Sequence, residues 1–258
     1  MTITDIIEIP NEEIPHQKPV KEIMNKFIPG IPDELNIPNR NGFIWALTGS
    51  GGSGKTSLML NFFKSKLLYR NKFNNIFYFT PESSFLSVEK HVFSGHDKVY
   101  HQLDGSALLS VYDQLEDIKR ASASADEDPE YTCIIIDDFA DKLKRKDISD
   151  ALYEFIVKTR HLNCAIIITL QSYLFLAKQC RKLLTNMTIF KPKSFAEWLS
   201  ICVEMFDMNK KDSLKLYHYV FDVPYAHLDV DFSNNSYYKN WNRLVIKNSD
   251  DLISPTDV

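Results

Sequence analysis

The stretch FIWALTGSGGSGKTSLMLNFF, Phe43 to Phe63, restricts what this chain can fold into more than any other. A short apolar run breaks into glycine and serine, and after one lysine an apolar pattern of a different period begins. Four of the eight glycines, Gly49, Gly51, Gly52 and Gly54, lie in this break. GSGGSGKT satisfies GxxxxGK[ST] in full, with a strand-like segment before it and an amphipathic helical one after it. In that setting successive backbone N–H groups turn inward on phosphate oxygens at the positive end of a helix. Gly49, Ser50, Gly51, Gly52, Ser53, Gly54, Lys55, Thr56 and Ser57 are therefore the candidate triphosphate cradle. Lys55 is expected to reach the β- and γ-phosphates of ATP, and the Thr56 hydroxyl to bind Mg²⁺.

A phosphate cradle does not fix the reaction, so the acids matter next. In CIIIDD four apolar residues precede Asp137 and Asp138 at a predicted strand end. This places one carboxylate near the metal and its neighbour near an attacking water. Asp137 is the metal candidate, through its water shell, and Asp138 the candidate base. Glutamate is commoner at the second position, and aspartate is one methylene shorter. Gln171, at the end of IIITLQ, is the candidate contact to the γ-phosphate or the water.

Short buried runs recur as GFIWALTG, NNIFYFT, YTCIIIDD, NCAIIITLQ and NMTIFKP, separated by helical patterns. Strands alternating with helices predict an α/β fold with a mostly parallel sheet covered on both faces. SALLSVYDQLEDIKR reads as one helix. DISDALYEFIVKTRH reads as another, with Ile148, Leu152, Phe155, Ile156 and Thr159 on one face behind an Asp147 cap. ASASADEDPE, residues 121–130, reads as a solvated loop. Six of the eleven prolines lie between Pro10 and Pro38. Residues 1–38 are therefore expected to form an extended arm, with one helical turn near 21–27. Residues 39–193 are expected to be the ATPase core, and 194–258 C-terminal helices and a β-hairpin turning at Asn234–Asn235.

The 258 residues are 44% hydrophobic and 25% charged, ordinary globular values, with a formal net charge of -4. That balance argues against a generally polybasic nucleic-acid coat, so any DNA contact must be local. Cys133, Cys164, Cys180 and Cys202 have no CxxC spacing, and reduced thiols in an intracellular protein are expected. The acidic, proline-broken start resembles no signal or transit peptide, and no membrane-spanning segment is expected.

Taken with TRHLNCAIIITLQSY and CRKLLTNMTIFKP, these motifs resemble the FtsK–HerA superfamily of P-loop ATPases. More narrowly, the chain resembles the DNA-packaging ATPases of poxviruses, other large nucleocytoplasmic DNA viruses and virophages, over roughly Gly42 to Ile246. The resemblance implies a RecA-like core, a homo-oligomeric ring, often hexameric, and translocation of double-stranded DNA into a preformed capsid. It also implies a capsid or portal-vertex partner and a place in the virion or the host-cell cytoplasm. In such rings an arginine from a neighbouring subunit completes the site. Arg160 matches the arginine before the glutamine-ended strand and is the preferred candidate, with Arg181 the other.

The candidate DNA contacts are Lys142, Lys144, Arg145 and Lys146, which follow the acidic strand and could track phosphates without reading sequence. Further basic clusters are Lys178, Arg181 and Lys182, and Lys191 and Lys193. Two other readings stay open: a nucleotide or metabolite kinase in which the acids position a second substrate, and a non-motor ATP-dependent capsid-assembly switch.

Overall fold

A computed structural model describes residues 27–32, 35–125 and 129–245. The elements in order are β1 Ile44–Thr48, α1 Lys55–Lys64, β2 Asn75–Phe79, α2 Glu82–Leu86, β3 Val99–Tyr100, α3 Gly105–Ala125 and β4 Thr132–Ile136. There follow α4 Lys146–Lys158, β5 Cys164–Leu170, α5 Lys178–Arg181, β6 Asn186–Phe190, α6 Phe195–Phe206 and α7 Lys210–Val220. The last three strands are β7 His227–Asp231, β8 Ser236–Lys239 and β9 Asn242–Leu244.

Among the described residues nine strands form one sheet, in the order β3-β2-β4-β5-β1-β6-β7-β8-β9. The first six are mutually parallel, and β7, β8 and β9 are added antiparallel. The expected hairpin forms at Asn234–Asn235, and it continues the central sheet through the pairing of β7 with β6.

The runs read as buried strands are buried on both faces, β1, β4 and β5 throughout. Because successive side chains alternate, each strand supplies two cores. Ala46, Ile134, Ile136, Ile166 and Ile168 meet α3, α4, α6 and α7 on one side. Trp45, Leu47, Cys133, Ile135 and Ile167 meet α1, Tyr69 and Phe73 on the other. All four cysteines are free thiols and buried.

Three local expectations change. The proline-rich segment expected to stand off as an arm up to residue 38 is packed in its described part. Ile28, Ile31 and Ile37 are buried in the second core, and Tyr69 donates from its hydroxyl to the Pro38 carbonyl at 2.6 Å. The expected turn near 21–27 lies almost wholly outside the described residues. The loop expected from residue 121 begins later, since α3 continues to Ala125. Alanine and serine there cost a helix little. Asp147 does not cap α4; the cap position is Arg145, and the Asp147 carboxylate lies in the first turn, bonded to the Arg145 guanidinium.

Arg181, on α5, is tied to α6. Its Nε and Nη2 donate to Glu204 at 2.9 and 3.1 Å, its Nη1 to the Leu176 carbonyl at 2.7 Å, and its guanidinium sits 5.0 Å from the Tyr173 ring centre. A two-pronged pair at 10% and 24% side-chain exposure is one whose breaking leaves a partly desolvated charge. Arg181→Ala is therefore expected to lower stability by roughly 2–4 kcal/mol in urea unfolding, below the fully buried range because Glu204 keeps some solvent. An unchanged midpoint would show that the pair does not hold α5 to α6.

Candidate functional site

The parallel strands bring the loop after β1, the acids after β4 and the end of β5 to one edge of the sheet. Register makes this quantitative: Thr48 pairs with Leu170, and Ile136 with Ile168. Asp137 is thus level with Thr169, and the Gly49 N–H donates to the Leu170 carbonyl at 3.1 Å.

The phosphate loop wraps around its own lysine. Lys55, 9% exposed at the first position of α1, donates from Nζ to the carbonyls of Gly49 (2.8 Å) and Ser50 (2.9 Å). Burial lowers its pKa, and the carboxylates of Asp137 and Asp138 oppose that shift. Gly49 is required by space and torsion together. Its φ is 153°, and a Cβ there would lie 2.7 Å from the Cβ of Phe190 on β6.

Asp137 is 1% exposed and accepts from three elements. Thr56 on α1 donates to Oδ1 at 3.0 Å, Thr169 on β5 donates to the same oxygen, and the Tyr78 hydroxyl on β2 donates to Oδ2 at 3.0 Å. Burial raises its pKa, and these three hydrogen bonds pull it back. The same shell pushes the Tyr78 phenol far up, through burial and the adjacent carboxylate.

Asp138 points elsewhere. Its φ is +60°, a left-handed conformation that aspartate reaches more readily than most residues. Its N–H donates to Thr169 Oγ1 at 3.1 Å, so a single hydroxyl fixes both acids. Its carboxylate accepts from Ser84 on α2 at 2.6 Å and from Gln171 Nε2 at 3.3 Å. A cavity of about 280 Å³ lies between, lined by Gly51, Gly52, Lys55, Thr56, Asp138, Ala140, Thr169 and Gln171.

A second, larger cavity of about 570 Å³ opens on the other side of the loop. It is lined by Gly52 to Leu58, Asn61, Phe190, Tyr225 and His227.

The structure thus brings Lys55, Thr56, Asp137, Asp138 and Gln171 together. Arg160 lies apart from them. It is exposed in the turn before β5 and packed on Gly42, where a Cβ would meet its backbone at 2.8 Å. Seven residues of β5 at ~3.3 Å each place it roughly 20 Å from the phosphate loop. Arg181 is engaged within the chain. His161, beside Arg160, is also exposed.

The basic segment after β4 forms a single 3-10 turn, Lys142–Lys144, leading into α4. Lys144 sits 4.2 Å from the Phe175 ring centre, Arg145 is paired with Asp147 at 2.9 Å, and Lys146 is exposed. Sequence reasoning missed Tyr78, Ser84, Thr169, Phe190, Tyr225 and His227. Thr169 carried a signal, as a hydroxyl inside the apolar run CAIIITL.

The family model described as Poxvirus A32 protein matches residues 35–248. The chain belongs to that family. It is 29% identical over 133 residues to the DNA packaging protein OPG160 of vaccinia virus (strain Copenhagen). That match covers 51% of this chain and 46% of the vaccinia protein, so the chain spans about half the length of the curated relative it matches.

Among solved structures it is similar to B204, the DNA-packaging ATPase from Sulfolobus Turreted Icosahedral Virus. The two are 17% identical with a TM-score of 0.54, over 80% of this chain and 98% of that one. It is also similar to EssC (ATPases 2 and 3) from Geobacillus thermodenitrificans, 14% identical with a TM-score of 0.54, over 77% of this chain and 39% of that one. At these identities the likeness is one of fold: a mostly parallel α/β sheet with flanking helices, as in P-loop ATPases.

The loop geometry predicts a contrast between two glycines of this family member. Gly49→Ala should lower stability by about 1–3 kcal/mol in denaturant unfolding, because the new methyl meets Phe190. Gly51→Ala, with nothing within 4 Å of its Cβ position, should stay within about 0.5 kcal/mol of the parent. Equal effects would mean that the Phe190 contact does not shape the loop.

Proposed function

We propose that this chain is an ATP-driven translocase of double-stranded DNA that packages a viral genome into a preformed capsid. The observation that carries the reading is the interposition of β5 between β1 and β4. It sets Thr169 and Gln171 between the phosphate loop and the acids, around a space of about 280 Å³. That space suits a terminal phosphoryl group and a water. The names of the vaccinia and Sulfolobus virus relatives support packaging over a non-motor switch.

In this reading the loop N–H groups and Lys55 Nζ hold the β- and γ-phosphates. Asp138 accepts a proton from the attacking water, which Gln171 orients; the water oxygen bonds to the γ-phosphorus as the bond to the β-bridging oxygen breaks, giving ADP and phosphate. Thr56 and Asp137 fit Mg²⁺, a hard cation that takes few protein ligands and completes its shell with phosphate and water; bound there it would neutralise phosphate charge. Lys55→Ala should abolish triphosphate binding in a folded protein. Asp138→Asn should bind ATP and slow its hydrolysis by about 10²-fold or more, read as phosphate release. Normal turnover in Asp138→Asn would move the base elsewhere.

Arg160, remote from its own loop and exposed, is suited to complete the site of a neighbour in a homo-oligomeric ring, as a hexamer. Loss of such an arginine typically costs on the order of 10³-fold in rate. Arg160→Ala and Lys55→Ala are each expected to be inactive alone. Mixed, they should recover part of the activity, because some interfaces combine an intact loop with an intact arginine. Failure to recover, with co-assembly confirmed by native mass spectrometry, would remove Arg160 from the role.

DNA, a capsid or portal-vertex protein and the ring itself are the proposed partners, in the virion or the host-cell cytoplasm. The deciding measurement is ATP hydrolysis with and without double-stranded DNA, since a motor is stimulated and a kinase or switch is not. Neutralising Lys142, Lys144, Arg145 and Lys146 together should weaken DNA binding alike for all sequences. It should also flatten the salt dependence by up to ~0.9 per lost phosphate contact. An unchanged slope would leave these residues as a solvated face.

A further inference from the structure

The cavity beyond the phosphate loop contains a histidine that none of the roles above uses. His227 opens β7, directly opposite Phe190 on β6, and is 7% exposed. Its ring lies 5.1 Å from that of Phe190 and 5.8 Å from that of Trp241. Its Nδ1 is 2.9 Å from both carboxylate oxygens of Asp229, itself 2% exposed.

The direction of that bond follows from the chain of donors behind it. Trp45 Nε1–H donates to Thr188 Oγ1 at 3.0 Å, so the Thr188 hydroxyl turns its proton to Asp229 Oδ1 at 2.8 Å. The Trp241 N–H donates to Oδ2 at 3.0 Å. With both oxygens already accepting, Asp229 acts as an acceptor, and His227 meets it with Nδ1–H. In its neutral form the ring is thereby set in one tautomer, with Nε2 as a free acceptor. Among the described residues Nε2 has no hydrogen-bond partner, and the ring lines the 570 Å³ cavity.

Two aromatic rings flank the path from the loop to this histidine. A Cβ at Gly54 would lie 3.6 Å from the Phe190 ring and 3.6 Å from the Tyr225 ring. Tyr225 is 73% exposed, in the turn between α7 and β7, with a φ of +63° that few side-chain-bearing residues adopt. An exposed aromatic residue in a disfavoured torsion, held over the phosphate loop, is placed to offer a face to a flat group.

We infer that this cavity is the nucleoside subsite and that His227, held by Asp229, is its specificity residue. Nε2 accepts a hydrogen bond from the nucleoside while Tyr225 and Phe190 flank the base. The inference deepens the proposed triphosphate site and rests on it. Two nucleoside groups carry the required donor, the adenine 6-amino group and a ribose hydroxyl, and analogues separate them.

The test is calorimetric binding of the full chain, with Mg²⁺, to four probes: ATP, inorganic tripolyphosphate, purine riboside triphosphate, which lacks the 6-amino group, and 2′,3′-dideoxy-ATP, which lacks both ribose hydroxyls. The wild-type chain is expected to bind ATP more tightly than tripolyphosphate. It should lose about 3- to 10-fold on whichever analogue lacks the donor that Nε2 accepts, the ordinary worth of one hydrogen bond. His227→Phe should bind tripolyphosphate as the parent does and no longer discriminate between ATP and that analogue. Since His227→Phe leaves Asp229 without one donor and can unfold, Tyr225→Ala, at an exposed position, gives an independent reading. It should weaken ATP and leave tripolyphosphate unchanged. If the wild-type chain binds tripolyphosphate but binds all four probes alike, or if both variants discriminate as the parent does, the subsite assignment is overturned. If the wild-type chain binds none of them, the triphosphate site itself fails and this inference falls with it.

Discussion

The buried carboxylate of Asp137 is the constraint around which this molecule is assembled. A carboxylate almost fully removed from water is tolerated only when its oxygens are supplied with donors. Here the donors come from α1, β2 and β5, through Thr56, Tyr78 and Thr169. Satisfying one side chain therefore fixes the register of the phosphate loop against three parallel strands. Thr169 also receives the N–H of Asp138, so the bend that turns the second acid away from the first is pinned by the same hydroxyl. Burial raises the Asp137 pKa and the three hydrogen bonds restrain it.

The sheet gives this cluster two distinct surroundings. On one side of the phosphate loop are the acids and Gln171; on the other are Phe190, Tyr225 and His227, supplied by the strand and turn where the sheet changes from parallel to antiparallel. The antiparallel extension therefore forms part of the site wall. Arg160 stands at the opposite end of the same strands, so the sheet carries the phosphate loop at one end and an exposed arginine at the other. The two-pronged pair of Arg181 with Glu204 explains why two arginines with similar sequence settings differ so much in availability.

How much of this could be read in the sequence depends on the range of the interaction. The phosphate loop, the acid pair and Gln171 were legible because each is a local pattern: glycines before a helix, acids and an amide at the ends of apolar runs. The parallel strands were legible because residues buried on both faces leave short, β-branched apolar runs, TCIII in β4 and CAIIITL in β5. What was not legible depends on partners distant in the chain. Tyr78 and Thr56 meet Asp137 from 59 and 81 positions away, and Thr188 meets Asp229 from 41. The packing of Ile28, Ile31 and Ile37 was hidden by prolines that suggested an arm, because extended chain and packed chain share the same torsions. The extra turns of α3 and the capping of α4 turned on end effects of a few tenths of a kcal/mol, too small for a short pattern to resolve.

The sheet is bounded by its two shortest strands, Val99–Tyr100 on one side and Asn242–Leu244 on the other. Among the described residues this leaves few free backbone groups on which another chain could add a strand. Short strands at both sides of a sheet work against its growth by a strand taken from another copy.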